Sequence, residues 1–323
     1  MNKDIIAQNI SNVLTETNFF ELGEKKIGKV HDSYFTDDRV ILITTDRQSA
    51  FDRVLASIPF KGQVLNLVSA WWFEKTKHIV PNFIQSVPDP NVVVGQKTEV
   101  FPVEFVSRSF LTGTTSTSIW KNYEAGQREF GGITLPDGLK KNAALPKTII
   151  TPSTKFEEHD RNITVDDIIN EKMMTQEQWD YVSSKAIEVF TYAQKIAKNH
   201  GLILVDTKYE FGKLPDGTIL LIDEINTPDS SRYWLAGSYE DRIAQGEEPE
   251  NIDKEFLRLW YADNCDPYKD KNLPKAPDEL VIELSSRYIQ LYEMITGEKF
   301  PLNTEPVVER IFNNLQKSGF LVQ

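Results

Sequence analysis

The sequence predicts an α+β fold, and three observations carry that prediction. Between Leu202 and Ile222, two apolar runs flank Pro215-Asp216-Gly217, the pattern of a β-hairpin. Just before them, Thr175 to His200 has helical periodicity, opens with a Thr175/Gln178 capping-box pattern and stops at Gly201. Along the whole chain, strand-like and helix-like runs are mixed without the regular alternation of βαβ units.

From the N-terminus, Asp4 to Thr17 reads as a short amphipathic helix. Lys25 to Phe35 and Arg39 to Thr45 read as strands around the Thr36-Asp37-Asp38 turn. Gln63 to His78 reads as a helix with Val64, Leu67, Val68, Trp71 and Trp72 at helical spacing, a stripe that belongs to a core. Strand-like runs return at Asn91 to Val94 and Glu99 to Phe110. Gln127 to Pro152 is rich in glycine and proline, the place for a subdomain boundary or a mobile substrate loop. After the long helix and the hairpin, helices around Lys254 to Ala262, Pro277 to Thr296 and Glu305 to Lys317 complete the chain.

Composition narrows the function. The 323 residues include 40% hydrophobic and 26% charged residues, ample for a globular core. A formal net charge of −12 argues against nonspecific nucleic-acid binding, which needs clustered positive charge. No window is apolar enough to cross a bilayer, and MNKDIIAQNI lacks a signal-peptide pattern. The single cysteine, Cys265, leaves no intrachain disulfide and fits a reducing compartment, so the expectation is a cytoplasmic protein. Nothing marks an oligomeric interface, and monomer and homodimer both fit.

The chemistry concentrates in the hairpin. Asp206, Lys208 and Glu210 are two apart, so they share one strand face. The second run ends at Asp223 and Glu224, with Asp229 and Arg232 close behind. Alternating charge of this kind is in most proteins the solvated face of an antiparallel sheet. The flank Asn226-Thr227-Pro228-Asp229-Ser230-Ser231-Arg232 tips the balance, because a polar turn with an arginine after an acidic pair resembles an anion-binding loop. An oxygen-rich cluster without sulfur or histidine suits Mg²⁺ held partly by substrate phosphates.

Four further segments compress small, polar and charged residues. Gly28-Lys29-Val30-His31-Asp32-Ser33 offers a glycine for close backbone approach to phosphate and a lysine to neutralise it, without Walker spacing. Thr44 to Asp52 follows an apolar strand, where its Asp46-Arg47 pair is either part of a substrate site or a structural salt bridge. In Val103 to Thr117, Arg108 precedes Gly113 and many hydroxyls, a set suited to a phosphomonoester, while Ser116 or Thr117 is placed to cap a helix at Ile119. Thr151-Pro152-Ser153-Thr154-Lys155 with Phe156 to Asp160 reads as a substrate-facing loop. With only four scattered histidines in the chain, His159 is no zinc ligand.

Taken together, GKVHDSYF, TDRQSAFD, IPFKGQVLN, VEFVSRSFLTGTTSTSIW, TPSTKFEEHDRNIT, LILVDTKYEFG and LIDEINTPDSSRYW resemble the SAICAR synthetase family of purine biosynthesis, in the family's order from residue 28 to 234. The resemblance implies two α+β lobes with antiparallel sheets, divided at 1–115 and 116–323, with ATP in a kinase-like cleft between them. It implies an ATP-dependent ligase joining L-aspartate to the carboxylate of carboxyaminoimidazole ribonucleotide (CAIR) through an acyl phosphate. By match to the family's motifs, Glu210 and Asp223 would bind Mg²⁺, Gly28 and Lys29 would meet the ATP phosphates, and Val103 and Glu104 would border the adenine. Arg108, Thr114 and Arg232 would hold the CAIR phosphate, with Asp206 and Lys208 at its imidazole end. Ser49, Asp52 and Lys155 would serve the aspartate or close the site. Three departures stand out: His31 where the family has arginine, Thr114 where serine is common, and the absence of a glycine before His159-Asp160. A ligase for another ribonucleotide, a small-molecule kinase and a nucleotide-binding regulator are the rival readings.

Overall fold

The computed structural model describes residues 3–51, 53–115, 117–156, 161–252 and 255–322. The fold is α+β, with antiparallel sheets and packed helices. The chain divides into two compact units, one of Met1–Trp71, Phe83–Lys97 and Ile252–Gln323, the other of Trp72–Asn82 and Thr98–Asn251. None of the helices among the described residues is long and apolar enough to cross a membrane.

The first unit opens with α1 (Lys3–Gln8), then β1 (Glu24–Ile27), β2 (His31–Phe35), β3 (Arg39–Thr44), β4 (Arg47–Ala50) and β5 (Arg53–Ser57). α2 (Lys61–Thr76) starts here, and β6 (Ile84–Asp89) and β7 (Val92–Gln96) return to it. Its sheet runs β1-β2-β3-β7-β6, all antiparallel, with β4 and β5 as a separate hairpin. Tyr34, Ile41, Ile43, Val92 and Val94 bury one face of that sheet against Val307, Ile311 and Leu315 of the C-terminal helix. Trp72, in the last turns of α2, is fully buried, as its place on the apolar stripe predicts.

The expected helix from Asp4 to Thr17 stops at Gln8. Beyond it the backbone serves another purpose. The Leu14 amide donates to Asp46 Oδ2 at 2.6 Å and the Thr17 amide to Asp32 Oδ2 at 2.7 Å. Both carboxylates are buried, and a buried acceptor left unpaired costs more than a short helix gains. Asp46 also accepts from the Gly62 amide at the start of α2, yet burial still pushes its carboxyl up to about 6.

In the second unit come β8 (Glu99–Val100), β9 (Val103–Phe110), α3 (Ile119–Glu124), β10 (Glu129–Phe130), β11 (Ile133–Thr134) and β12 (Ala144–Thr154). These precede α4 (Val165–Asn170), α5 (Gln176–Asn199), β13 (Leu202–Lys213), β14 (Ile219–Ile222), β15 (Ser231–Leu235) and α6 (Ala236–Gln245). The chain closes in the first unit with α7 (Glu255–Asn264), α8 (Asp278–Thr296) and α9 (Val307–Lys317).

Strand β13 organises the second unit. Its first half lies between β9 and β15, and its second half pairs with β14 and β8. The predicted hairpin is present: Gly217 has φ +89° and donates to Leu214 O, while Asp216 caps the Thr218 amide. The capping box at Thr175 and Gln178 is formed, and Gly201 takes the left-handed conformation that ends α5. The N-cap of α3 is Ser118, whose hydroxyl accepts from the Lys121 amide, and not Thr117; Ser116 lies outside the described residues. The proline-containing stretch before Lys155 is not a loop. It is the end of β12, which pairs with β9 along one edge, while on the other edge Ser153 bridges Asn162 and the Pro152 carbonyl accepts from the Ile163 amide at 3.2 Å.

A Cβ on Gly95 in β7 would sit 2.1 Å from Phe83 Cδ2, and Phe83 is buried in the same unit. Gly95→Ala is therefore expected to destabilise the protein by about 1–3 kcal/mol through overpacking. Urea unfolding monitored by circular dichroism checks this; an unchanged midpoint contradicts the packing account.

Candidate active site

Register along the second unit's sheet puts the charged motif residues on one face. Asp206 stands opposite Arg108 on one side and Arg232 on the other, and Lys208 stands opposite Val106. Thr151 pairs with Val106 and Ser153 with Glu104. Because side chains alternate along a strand, this face carries Thr151 and Ser153 from β12 and Glu104 and Arg108 from β9. It also carries Asp206, Lys208 and Glu210 from β13 and Arg232 from β15. The opposite face is apolar: Phe105 stacks on Trp179 of α5 with ring centroids 5.4 Å apart and meets Phe211 edge-on at 5.5 Å. One face makes the core and the other carries the charged residues.

Two charge networks occupy that face. In the first, Lys208 Nζ donates to Glu104 Oε1 at 2.8 Å and to Glu210 Oε1 at 2.7 Å, while Lys155 Nζ lies 2.5 Å from Glu210 Oε2. Ser153 Oγ donates to Glu104 Oε2 at 3.1 Å. Burial alone would raise the Glu210 carboxyl, but Lys208 and Lys155 outweigh it and hold the group well below the usual carboxylate range. Burial likewise opposes the Lys208 charge, and Glu210, Asp223 and Glu104 together keep its ammonium well above the ordinary lysine range.

In the second network, Asp206 Oδ2 accepts from Arg108 Nη1 at 3.1 Å and from Arg232 Nη1 at 2.6 Å. Arg108 Nε donates to Thr151 Oγ1 at 2.7 Å. Burial, reinforced by the charge of Arg232, lowers the Arg108 pKa, and Asp206 opposes that loss. Two arginines share one carboxylate, leaving a positive surplus suited to an anion. Gly113, at φ +103°, lies against this pair, since a Cβ there would meet Ser118 Cβ at 2.5 Å and Arg232 Nη2 at 3.3 Å. The exposed Thr114 follows it directly.

Asp223 comes one residue after the partner of Glu210 in the hairpin, at a φ of +65° that non-glycine residues adopt at a cost. Asn226, at φ +52°, ends the same turn; its Oδ1 accepts from Tyr209 and its carbonyl from Tyr233. Two left-handed residues bend the chain sharply between β14 and β15 and place Arg232 beside Asp206. Val103 is fully buried.

The remaining candidates belong to the first unit. Gly28 and exposed Lys29 form the turn between β1 and β2, and half-buried Ser49 lies in β4 opposite Val54. Asp52 lies outside the described residues, as do residues 157–160 of the TPSTK segment. Arg47, which the Asp-Arg pair raised as a salt bridge, bonds to Asp32 at 2.9 Å and not to Asp46. It also donates to the carbonyls of Gly28 at 2.9 Å and His31 at 3.2 Å, so it fastens the Gly28-Lys29 turn from below. Sequence reading passed over that role, and it placed Thr151 and Ser153 in a substrate-facing loop without giving either a role of its own. The signal for the last two was the period-two spacing of Thr151, Ser153 and Lys155.

Because the folded state depresses the Glu210 pKa, its ion pairs add stability above the ordinary carboxylate range, and that stability is lost as pH falls below it. Lys208→Met is expected to move the Glu210 titration upward, which carboxyl ¹³C shifts followed against pH would show. An unmoved midpoint would remove Lys208 as the cause.

Comparison with known proteins gives the site its context. A family model described as SAICAR synthetase matches residues 24–275. A phosphoribosylaminoimidazole-succinocarboxamide synthase of Legionella pneumophila (strain Paris) is 58% identical over 306 residues, 94% of this chain and 98% of that protein. A chloroplastic synthase of the same name from Arabidopsis thaliana is 56% identical, covering 97% of this chain and 78% of that one. Among solved structures, a SAICAR synthase from Saccharomyces cerevisiae in complex with SAICAR superposes with a TM-score of 0.77 at 30% identity, over 90% of this chain and 100% of that one. A type-2 SAICAR synthetase in complex with ADP superposes with a TM-score of 0.65 at 26% identity, over 86% and 100%. By its sequence, its fold and the match along most of its length, this chain belongs to the SAICAR synthetase family.

Proposed function

We propose that the chain condenses CAIR with L-aspartate at the expense of ATP, giving SAICAR, ADP and phosphate in purine biosynthesis. The observation that carries this reading is the single sheet face on which an arginine pair and a lysine–carboxylate network adjoin. One network takes a phosphate monoester, and the other manages the charge of phosphoryl transfer. The relatives named for this synthase and the neighbours bound to SAICAR and to ADP support the same choice.

In this mechanism a CAIR carboxylate oxygen attacks the γ-phosphorus of ATP, and ADP departs. The aspartate amine then attacks the resulting acyl phosphate, loses its proton and expels phosphate together with that oxygen. Neither step needs a protein nucleophile; both need alignment and charge compensation. Arg108, Arg232 and Thr114 hold the CAIR phosphate. Asp206 keeps the two arginines together at the end of the face from which Lys208 reaches toward the imidazole carboxylate. Lys29 neutralises ATP phosphates, with Gly28 giving backbone approach, and Val103 and Glu104 border the adenine. Ser49, Asp52 and Lys155 serve the aspartate or close the site.

The donor set also fits Mg²⁺. Glu210 and Asp223 supply hard oxygens, and with Glu104 they exceed Lys155 and Lys208 by one negative charge. Among the described residues no group of three or more His, Cys, Asp or Glu side chains is arranged to hold a metal ion. Mg²⁺ commonly takes one or two protein carboxylates and completes its shell with phosphates and water. When bound, Mg²⁺ would offset the charge that builds up on the phosphates.

Purified protein given Mg-ATP is expected to release ADP only when CAIR and L-aspartate are both present. Release with CAIR alone, giving a stable phosphorylated product, would make it a kinase instead. Glu210→Gln and Asp223→Asn are each expected to lower turnover by about a hundredfold or more while leaving the circular dichroism spectrum intact. A folded, fully active Asp223→Asn variant would remove that residue from the metal site.

A further inference from the structure

Arg108 is half-used. Its Nε donates to Thr151 and one Nη1 hydrogen to Asp206, leaving both Nη2 hydrogens and the second of Nη1 without a partner among the described residues. A guanidinium is planar, so two bonds at different nitrogens fix the ring of donors in space, where one would leave it to swing. The second anchor comes from the neighbouring strand. Thr151 pairs with Val106, two residues before Arg108, which makes Thr151 and Arg108 a diagonal pair on the same face. The Thr151 hydroxyl has no charge of its own, so it orients Arg108 without cancelling the positive surplus the anion requires. Asp206 cannot do this alone, because its Oδ2 is shared with Arg232.

We propose that Thr151 is a positioning residue for recognition of the substrate's phosphate: its hydroxyl, with the Asp206 carboxylate, locks the Arg108 guanidinium so that its unused donors are preset for the phosphate oxygens. The inference rests on the assignment of Arg108 to the CAIR phosphate. Arginine carries large rotamer entropy, and a side chain fixed before binding loses less of it on binding. Thr151 acts through Arg108 and touches no reacting atom. Its effect therefore falls on affinity for the phosphorylated substrate and not on the chemical step.

The test compares Thr151→Val, which keeps the shape and strand preference but removes the acceptor, with Thr151→Ser, which keeps the hydroxyl. Binding is measured by calorimetry for two probes, an imidazole ribonucleotide monophosphate and the same nucleoside without phosphate. Thr151→Val is expected to cut the nucleotide-over-nucleoside preference by about tenfold, the scale of one hydrogen bond to a charged group. It should raise KM for CAIR with kcat and KM for ATP nearly unchanged, and Thr151→Ser should restore the preference. Thr151→Ala is the companion should the valine variant misfold, with the same expectation. Arg108→Gln separates this idea from the one beneath it. If Arg108→Gln abolishes the preference while Thr151→Val and Thr151→Ala keep it, the positioning role is wrong and the phosphate site stands. An unchanged preference in Arg108→Gln overturns the phosphate assignment and the inference with it. Equal losses in Thr151→Val and Thr151→Ser would also overturn the inference, since the hydroxyl would not be the cause.

Discussion

Charge compensation across one face of β13 is the constraint around which the second unit is built. Phe105 and Phe211 pack on the opposite face of the same sheet, so the strands cannot slip by one residue without exchanging core for charge. Within that fixed register, every ionised group faces an opposite charge. Glu210 lies between two lysines, Asp206 between two arginines, and Lys208 between two glutamates. Removing one partner strands the other in a site where solvent screens it poorly. The pairing also holds these side chains in place before any ligand arrives.

The first unit solves a related problem with backbone. Asp32, Asp46 and Arg47 are buried there; main-chain groups satisfy most of Asp46 and Arg47, and Asp32 adds the Thr17 hydroxyl and Arg47 to one backbone amide. Asp32 and Asp46 accept from the amides of Thr17, Leu14 and Gly62, while Arg47 donates to the carbonyls of Thr15, Gly28 and His31. The turn that carries Lys29 is thus tied to buried groups, although Lys29 itself is exposed. A loop fixed in this way loses little entropy when it meets a ligand. His31 contributes its carbonyl to this clamp, a role that needs no side-chain charge at that position.

Seven short motifs, spread along the chain, made the family legible, and the period-two spacing of Asp206, Lys208 and Glu210 placed them on one strand face. The hairpin at Pro215 to Gly217, the capping box at Thr175 and the glycine stop at Gly201 were equally visible, because each is set by bonds among residues close in sequence. Boundaries failed where distant groups compete for the backbone. The first helix ends early because Asp46 and Asp32 claim the amides of Leu14 and Thr17. Residues Thr151 to Thr154 look like a loop by their proline and hydroxyls, yet they form a strand because β9 offers them a ladder.

Local sequence therefore determined which residues alternate, where turns must fall and which residue types carry the chemistry, since those follow from backbone geometry and short-range bonding. Tertiary structure alone decided the partners. That Asp206 joins Arg108 and Arg232, that Arg47 grips Asp32 in place of Asp46, and that Thr151 reaches Arg108 all depend on which strands lie side by side and in what register. Register is set by burial of a whole sheet face, a sum over residues far apart in the chain, and no single motif contains it.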